Sequence, residues 1–264
     1  MKSQEEKMRV GFFQMDVEYE NVQLNLEKLK GVLGKSSADL LVCPELCLSG
    51  YEISDRRKLR TLSQERENSL FDPIEALCIT REMSVVFGFS EKYKDKIYNS
   101  SMLIDERGRR FVYRKTHLFL NEKKLFDRGD TGFFVVKTQK ARVGMMICFD
   151  WFFPESARTL ALMKAEVIAH PSNLVMPYCQ DAMKTRCLEN RVFAVTANRV
   201  GEEKNTKFTG KSRITDIKGN VLASGKEKGE SVMEADLKPA LAREKRINGM
   251  NDLFKERRRK YYVL

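Results

Sequence analysis

The chain has 264 residues, which is enough for one large domain or two small ones. Hydrophobic residues make up 42% of the chain, which excludes an intrinsically disordered protein. The 48 Lys and Arg residues against 37 Asp and Glu residues give a net charge of +11, which suggests an acidic partner without identifying one. The two histidines, His117 and His170, exclude a zinc site with three histidine ligands.

The six cysteines are too few for a disulfide scaffold and do not have zinc-ribbon spacing. Most of them lie in apolar runs, where a free cysteine behaves as a small hydrophobic residue. The chain opens with charged residues, no apolar signal-peptide segment follows, and no run reaches the length of a membrane span. We therefore expect a cytoplasmic protein without a membrane partner.

Short apolar runs rich in strand-forming residues alternate with segments of helical periodicity. The runs predict strands at 9–15, 40–43, 84–89, 98–104, 110–113 and 143–148. The periodic segments predict helices at 24–33, 65–83 and 154–164. The segment 105–108, Asp-Glu-Arg-Gly, predicts a hairpin turn between two of the strands.

An internal repeat indicates how these elements are arranged. Residues 38–45 align with 165–172, since both read as an acidic residue, an apolar strand core and a proline. Residues 101–108 align with 212–219, and a helix and a strand lie between the matched segments in each half. This predicts an α/β fold: a four-layer α-β-β-α sandwich of two face-to-face sheets with a pseudo-twofold repeat. The competing architecture, a single doubly wound sheet, lacks a G-x-G-x-x-G after any strand.

Three reactive side chains stand at the ends of predicted strands: Glu45 and Lys115 follow a strand, and Cys148 ends one. A carboxylate can accept the thiol proton and an ammonium can stabilise negative charge, so the three would form a hydrolytic site if they met. The alternatives are a solvated acid, a surface lysine and a core cysteine. The apolar neighbours of Glu45 and the polar Asp150 directly after Cys148 favour the site. His117 is as well explained by a structural hydrogen bond as by a base, and His170 is typical of a core histidine.

Three segments resemble the signature blocks of the nitrilase (carbon–nitrogen hydrolase) superfamily. They are 44–51, 113–118 and 144–155, which contain Pro-Glu-Leu, Tyr-Arg-Lys-Thr-His-Leu and Met-Ile-Cys-Phe-Asp respectively. Further matching blocks at 170–173, 186–190 and 251–261 extend the resemblance over nearly the whole chain. The resemblance implies a single carbon–nitrogen hydrolase domain over 1–264 with the same sandwich fold.

The resemblance also implies catalytic roles. Glu45 would be the general base, and Cys148 would attack a carbonyl or nitrile carbon to form a thioester that releases ammonia or an amine. Lys115 and the backbone N–H of Phe149 would stabilise the tetrahedral intermediate. Glu122 occupies the place of a second glutamate that orients the substrate, although an exposed loop acid is the plain alternative. No metal or organic cofactor is implied.

The substrate is less closely specified. The sequence Cys148-Phe149-Asp150 resembles the amidase and carbamoylase branches, whereas 148–155 and 173–178 resemble a prokaryotic group often labelled nitrilase or amidase, which includes archaeal thermophile proteins. We expect a small amide or carbamoyl compound, with short aliphatic nitriles as the alternative. The residues expected to line the substrate pocket are Phe149, Trp151, Phe152, Asn173, Leu174 and Tyr178.

The C-terminal tail, residues 240–264, is basic. It holds eight Lys or Arg residues and three Asp or Glu residues, so its charge is 8 − 3 = +5. A basic nucleic-acid or protein-binding module without catalysis is therefore a second hypothesis, but no base-reading motif accompanies the charge. The resemblance implies instead that the tail and the helices near 156–162 and 181–193 form the interface of a homodimer or higher homo-oligomer, with no nucleic-acid partner.

Overall fold

A computed structural model describes residues 7–263. Residues 1–6, part of the opening segment that we expect not to be a signal peptide, lie outside the described residues, as does Leu264. The strands are β1 Met8–Gln14, β2 Leu40–Val42, β3 Ser84–Tyr93, β4 Lys96–Ile104, β5 Arg110–Arg114, β6 Val135–Lys137, β7 Arg142–Met145, β8 Val167–Ser172, β9 Phe193–Asn198, β10 Glu202–Glu203, β11 Thr206–Lys207, β12 Arg213–Thr215, β13 Val221–Ser224 and β14 Ser231–Leu237. The helices are α1 Val22–Leu33, α2 Arg56–Leu62, α3 Asp72–Thr80, α4 Glu122–Leu125, α5 Pro154–Leu162 and α6 Cys179–Asn190.

The strands form two six-stranded sheets with the same plan. The first sheet has the order β14-β1-β2-β3-β4-β5, and the second has the order β13-β12-β9-β8-β7-β6. In each sheet three consecutive strands are parallel, β1-β2-β3 and β7-β8-β9, and the strands beside them are antiparallel. The strands β1 to β5 therefore correspond in order to β7, β8, β9, β12 and β13, which is the repeat that the sequence predicts.

Apolar side chains hold four layers together. The inner faces of the two sheets share one buried cluster, in which Val10 and Phe12 of the first sheet belong with Met145 of the second. Helices α1 and α3 cover the outer face of the first sheet, and α5 and α6 cover the second. The α-β-β-α sandwich is confirmed. Because β8 and β9 are covered on both faces, every residue in them is buried.

The helix predicted at 65–83 is shorter than the pattern indicates. A 3₁₀ helix, Ser69–Phe71, leads into α3, which ends at Thr80. The amide oxygen of Asn68 accepts a hydrogen bond from Leu70 N at 2.8 Å, and Pro73 lies in the first turn of α3. These local start signals override the longer apolar periodicity.

Two strand boundaries also differ from the prediction. β3 continues to Tyr93, four residues beyond the predicted end at 89, because it pairs with β4 along its length. β7 ends at Met145, and Cys148 instead begins a 3₁₀ helix, Cys148–Phe152. The carboxylate of Asp150 accepts from Ile147 N at 2.9 Å, which binds the backbone locally and takes it out of the strand.

All six cysteines are free and buried. Within residues 7–263, the structure has no helix with the length and apolar character needed to cross a membrane. The same range contains no group of three or more His, Cys, Asp and Glu side chains placed to hold a metal ion.

Candidate active site

The ends of β2, β5 and β7 bring three of the expected residues together. Glu45 follows β2, Lys115 follows β5 and Cys148 follows β7, and all three side chains are buried. Lys115 Nζ donates a hydrogen bond to Glu45 Oε1 at 2.6 Å. The charges of both groups act on the thiol of Cys148. A carboxylate, an ammonium and a thiol therefore share one interior site.

Glu122 belongs to the same cluster. It begins helix α4 and is 3% exposed, so it is a buried acid and not an exposed loop residue. Lys115 Nζ donates to both of its carboxylate oxygens at 2.8 Å. Lys115 consequently bridges two buried carboxylates.

Two further residues in the cluster were missed as site residues. Asn99 Nδ2 donates to Glu45 Oε1 at 2.7 Å and lies 3.4 Å from Glu122 Oε2. The Tyr51 hydroxyl donates to Glu122 Oε1 at 2.8 Å. Asn99 could have been found as a polar residue within an otherwise strand-forming run, and Tyr51 lies in a signature block beside Glu45.

The cluster holds two carboxylates against one ammonium, and this sets its electrostatics. Burial lowers the pKa of Lys115, but Glu122 and Glu45 outweigh it, so that pKa is raised and the side chain stays charged. Burial raises the pKa of Glu122, while Lys115 opposes the rise. Burial, reinforced by Glu45, raises the pKa of the Cys148 thiol well above its ordinary value. The resting thiol is therefore protonated, and it needs a base before it can act as a nucleophile.

The arrangement provides a proton acceptor. Oε1 of Glu45 takes the hydrogen bonds from Lys115 and Asn99. Oε2 of Glu45 is buried, and no group within 7–263 donates to it. A buried carboxylate oxygen without a donor is costly, so it is a natural place for a transferred proton.

Cys148 lies in a strained turn. Its φ is +38°, in the left-handed region that an L-residue adopts only when the surroundings impose it. Its carbonyl oxygen accepts from His170 Nε2 at 2.9 Å, and His170 Nδ1 lies 3.1 Å from the hydroxyl of Thr196. The backbone N–H of Asn173 interacts with the thiol. His170 is thus a buried, hydrogen-bonded residue that fixes the backbone at Cys148.

Asp150 joins this turn to the segment that carries Lys115. Its carboxylate accepts from the Tyr113 hydroxyl at 2.8 Å, and its other oxygen lies 2.8 Å from His117 Nδ1. The His117 ring stacks on Phe153 with centroids 3.7 Å apart. His117 therefore has a structural contact with Asp150 and lies outside the hydrogen bonds of the Glu45–Lys115–Glu122 cluster.

A small cavity of about 20 Å³ adjoins the thiol. Its lining consists of Phe119, Cys148, Phe149, Trp151, Asn173, Leu174, Val175 and Met176. Four of the six predicted pocket residues are thus present. Phe152 and Tyr178 are not in the lining, since they are 51% and 62% exposed at the surface. Phe119 was missed, and its place four residues after Lys115 gave no separate signal.

Asn173 is the polar member of this cavity. It is 3% exposed, and neither its Nδ2 nor its Oδ1 has a hydrogen-bond partner among the residues that the structure describes. Buried side-chain amides are ordinarily paired, so a donor and an acceptor beside the thiol are free for a bound molecule.

A larger cavity of about 740 Å³ leads toward the cluster. Its lining comes from parts of 51–56, 119–125 and 204–207, and Glu122 is one of the lining residues. Phe119 and Val175 line both cavities, so they lie where the two meet.

Comparison with known proteins places this chain in a family. The sequence profile of the family described as carbon-nitrogen hydrolase matches residues 9–247. The chain belongs to the carbon-nitrogen hydrolase family. It is therefore a hydrolase of the nitrilase superfamily, as the signature blocks imply.

Two relatives of this carbon-nitrogen hydrolase show the range of the family. A nitrilase of Pyrococcus abyssi (strain GE5 / Orsay) is 46% identical over 263 residues, which cover 97% of this chain and 99% of the relative. An (R)-stereoselective amidase of Pseudomonas sp is 36% identical over 204 residues, which cover 75% and 73% of the two chains.

A solved structure shares the fold. The amidase from Nesterenkonia sp. superimposes with a TM-score of 0.82 at 22% identity, covering 96% of this chain and 94% of that chain. A variant of that amidase shows covalent addition of the acetamide moiety of fluoroacetamide at its active-site cysteine.

Proposed function

We propose that this carbon-nitrogen hydrolase cleaves a small amide or carbamoyl compound through a thioester on Cys148. The observation that carries the proposal is the bridge from Lys115 to both Glu45 and Glu122, beside a protonated thiol that lines a small cavity. These groups supply a nucleophile, a base and a cation within one water-poor site.

Acylation uses the unpaired oxygen of Glu45. Oε2 of Glu45 takes the thiol proton as Sγ of Cys148 bonds to the carbonyl carbon. The Lys115 ammonium and the backbone N–H of Phe149 stabilise the negative charge that develops on the carbonyl oxygen. The carbon–nitrogen bond then breaks, and the proton held by Glu45 passes to the departing ammonia or amine.

Deacylation reverses the proton path. A water attacks the thioester carbon while Glu45 takes one of its protons. The carbon–sulfur bond breaks, the acid is released, and the proton returns to the sulfur of Cys148. Glu122 holds Lys115 in place throughout and neutralises part of its charge.

The cavity supports a short acyl group. Its volume is near that of one or two water molecules, and the rings of Phe119 and Phe149, with centroids 4.9 Å apart, close one side. The unpaired amide of Asn173 suits a substrate with a hydrogen-bonding group close to the reacting carbon.

A nitrile substrate is the second candidate, and the similarity to the nitrilase of Pyrococcus abyssi favours it. Attack of the thiol on a nitrile carbon gives a thioimidate, which water converts to the same thioester with loss of ammonia. The two substrates therefore share residues and differ in the first covalent species.

Intact-mass spectrometry during turnover tests both candidates. A panel of short amides, ureido acids and nitriles is expected to yield an acyl adduct on Cys148. With a nitrile, a second adduct on Cys148 is expected, the thioimidate, in which NH replaces the acyl oxygen. Cys148→Ala is expected to lose the adduct and the turnover. Cys78→Ala is the matched control, because Cys78 is buried in α3 on the outside of the first sheet. Full activity in Cys148→Ala, or no turnover of any compound by the wild-type protein, contradicts the proposal.

We further propose that two copies associate through α5, α6 and the basic tail. Exposed apolar side chains in this region support the proposal: Leu162, Met163, Leu188 and Leu241. In this proposal the basic residues of the tail lie at the interface and on the surrounding surface, and they do not form a nucleic-acid site.

A further inference from the structure

The second half of the repeat contains an insertion that the first half lacks. In the first half, β3 runs into β4 through Lys94 and Asp95. In the second half, residues 199–212 separate β9 from β12 and contain the small β10–β11 ribbon. The ribbon extends to the loop that follows Glu45 in the first half, so it links the two halves next to the active site.

A buried ion pair fixes the base of this insertion. Arg199 and Glu203 form a salt bridge in which both side chains are 1% exposed. Arg199 also donates to Val17 O at 3.2 Å, and its guanidinium lies 4.1 Å from the ring centroid of Phe208. Since breaking such a pair leaves a buried charge without compensation, the pair holds Glu203 in one position.

Glu203 in turn holds the loop beside the catalytic cluster. Its Oε2 accepts the backbone N–H of Tyr51 at 2.7 Å and that of Glu52 at 2.9 Å. Gly50 allows this approach, since its φ is +86° and an added Cβ would lie 2.8 Å from Glu203 Oε1. The ribbon adds a second contact, because the Thr206 hydroxyl donates to Glu52 Oε1 at 2.6 Å.

The loop ends at the catalytic cluster, since the Tyr51 hydroxyl donates to Glu122 Oε1. We infer that Glu203, held by Arg199, is a positioning residue that directs the Tyr51 hydroxyl onto Glu122 and so keeps Glu122 ionised against Lys115. The inference rests on the proposed function, in which the ionised cluster activates Cys148. It gives the insertion a role in the reaction through the hydrogen bonds that Glu203 accepts from the backbone of Tyr51 and Glu52.

The groups that face Glu122 determine the expected effect. Lys115 and the Tyr51 hydroxyl favour its ionised form, whereas Glu45 disfavours it. The Cys148 thiol adds a further negative charge only when it ionises. Loss of the Tyr51 hydrogen bond therefore raises the pKa of Glu122, and the cluster takes up its first proton at higher pH.

The experiment is a double-mutant cycle on the pH profile. Wild type, Tyr51→Phe, Glu203→Gln and the double variant are compared by kcat/KM for amide hydrolysis. They are also compared by the rate at which iodoacetamide alkylates Cys148, measured by intact mass. Tyr51→Phe is expected to move the acid limb of both profiles upward by about 0.5 to 1 pH unit. Glu203→Gln is expected to move it in the same direction, and the double variant is expected to move it no further.

Asp105→Asn is the matched control. Asp105 is a fully buried carboxylate in the β4–β5 hairpin, where it accepts from Arg109, far along the chain from the insertion. This variant is expected to lower the melting temperature and leave the acid limb in place, as a purely structural role would. If Glu203→Gln does not fold, Gly50→Ala displaces the same carboxylate and is expected to produce the same shift.

The outcomes separate the two proposals. An unshifted acid limb in Glu203→Gln, or a double variant that shifts by the sum of the single shifts, overturns the positioning role. If the wild-type protein hydrolyses no amide while the alkylation profile follows the expected pattern, the proposed function fails and the positioning role stands. If amides are hydrolysed but Glu203→Gln shifts the acid limb of neither the kcat/KM profile nor the alkylation profile, the positioning role alone fails.

Discussion

At the scale of single residues, the distinctive feature is one ammonium shared by two buried carboxylates. Lys115, Glu45 and Glu122 lie in the interior, and the three side chains have at most 3% exposure. Such a group is stable only as a unit, because removing the cation leaves two like charges out of water. The residues that would carry the reaction are therefore also expected to stabilise the fold.

Lys115→Met tests this coupling. We expect the free energy of unfolding at neutral pH to fall by about 3–5 kcal/mol. We also expect kcat to fall by at least a factor of about 10²–10³, because the oxyanion loses its cation. Urea unfolding and amide turnover measure the two effects. The control is Lys92→Met, because Lys92 forms an exposed pair with Glu65 at 3.7 Å, and pairs of that kind contribute about 0–1 kcal/mol. Equal losses in the two variants would contradict the expectation.

His170 provides a prediction on pH and stability. Burial lowers its pKa in the folded protein. The unfolded chain therefore binds more protons than the folded chain below about pH 6.5, so this residue makes stability fall as the pH falls through that region and leaves it unaffected well above. In His170→Gln, the loss of unfolding free energy between about pH 7 and pH 5 is expected to be smaller than in wild type. Denaturant titrations at several pH values measure the difference, and parallel curves would count against it.

At the scale of elements, the site depends on backbone conformations that side-chain periodicity does not specify. Cys148 begins a 3₁₀ helix with a left-handed φ, and Asp150 ties this turn to Tyr113 near Lys115. Glycine in β3 lets the loop with Glu45 approach the sheet, since a Cβ on Gly88 would lie 2.5 Å from Glu45 Cα and 2.4 Å from Leu46 N. Close backbone packing of this kind fixes Glu45 more firmly than a surface loop would.

Gly88→Ala is expected to displace the Glu45 loop. Because the clash is with backbone atoms, relief requires movement of the loop, with a stability loss of about 1–3 kcal/mol and a large loss of turnover. Gly31→Ala is the matched control, since nothing lies within 4 Å of its added Cβ in helix α1. That variant is expected to gain about 0.5–1 kcal/mol and keep full activity. Melting temperatures and kcat for both variants test the pair, and an active Gly88→Ala protein would contradict the account.

At the scale of the whole molecule, the two halves repeat one another, and the proposed interface belongs to the second half. The second half carries exposed apolar residues on its helices, including Leu188 on α6, and it is followed by the basic tail. A patch of this type beside charged residues is typical of a contact between protein chains. The proposed homodimer would cover it.

Leu188→Glu is expected to shift the molecule toward monomers in sedimentation-velocity experiments at micromolar concentration. A buried carboxylate at an interface destabilises the association, whereas it is harmless on a solvated face. Ile79→Glu is the matched control, because Ile79 is similarly exposed on helix α3 of the first half. The proposal fails if wild type sediments as a monomer, or if both variants dissociate equally.

Much of this molecule could be predicted from the sequence because the signals are local. Apolar periodicity and the 38–45 and 165–172 repeat predicted the four-layer sandwich, and the signature blocks predicted the family, both of which are confirmed. The helix at 65–83 was predicted too long, because capping by Asn68 and the position of Pro73 decide where α3 starts.

The site residues can be divided in the same way, into features that local sequence signals predict and features that depend on the fold. The sequence by itself determined which reactive groups stand at the ends of strands, since Glu45 and Lys115 each follow a predicted strand and Cys148 ends one. Only the tertiary structure decided that Lys115 bridges Glu45 to Glu122, that Asn99 and Tyr51 complete the cluster, and that Phe152 and Tyr178 lie at the surface. The physical reason is distance along the chain: hydrogen bonds between residues tens of positions apart depend on how the two sheets and their loops pack, which no local pattern records.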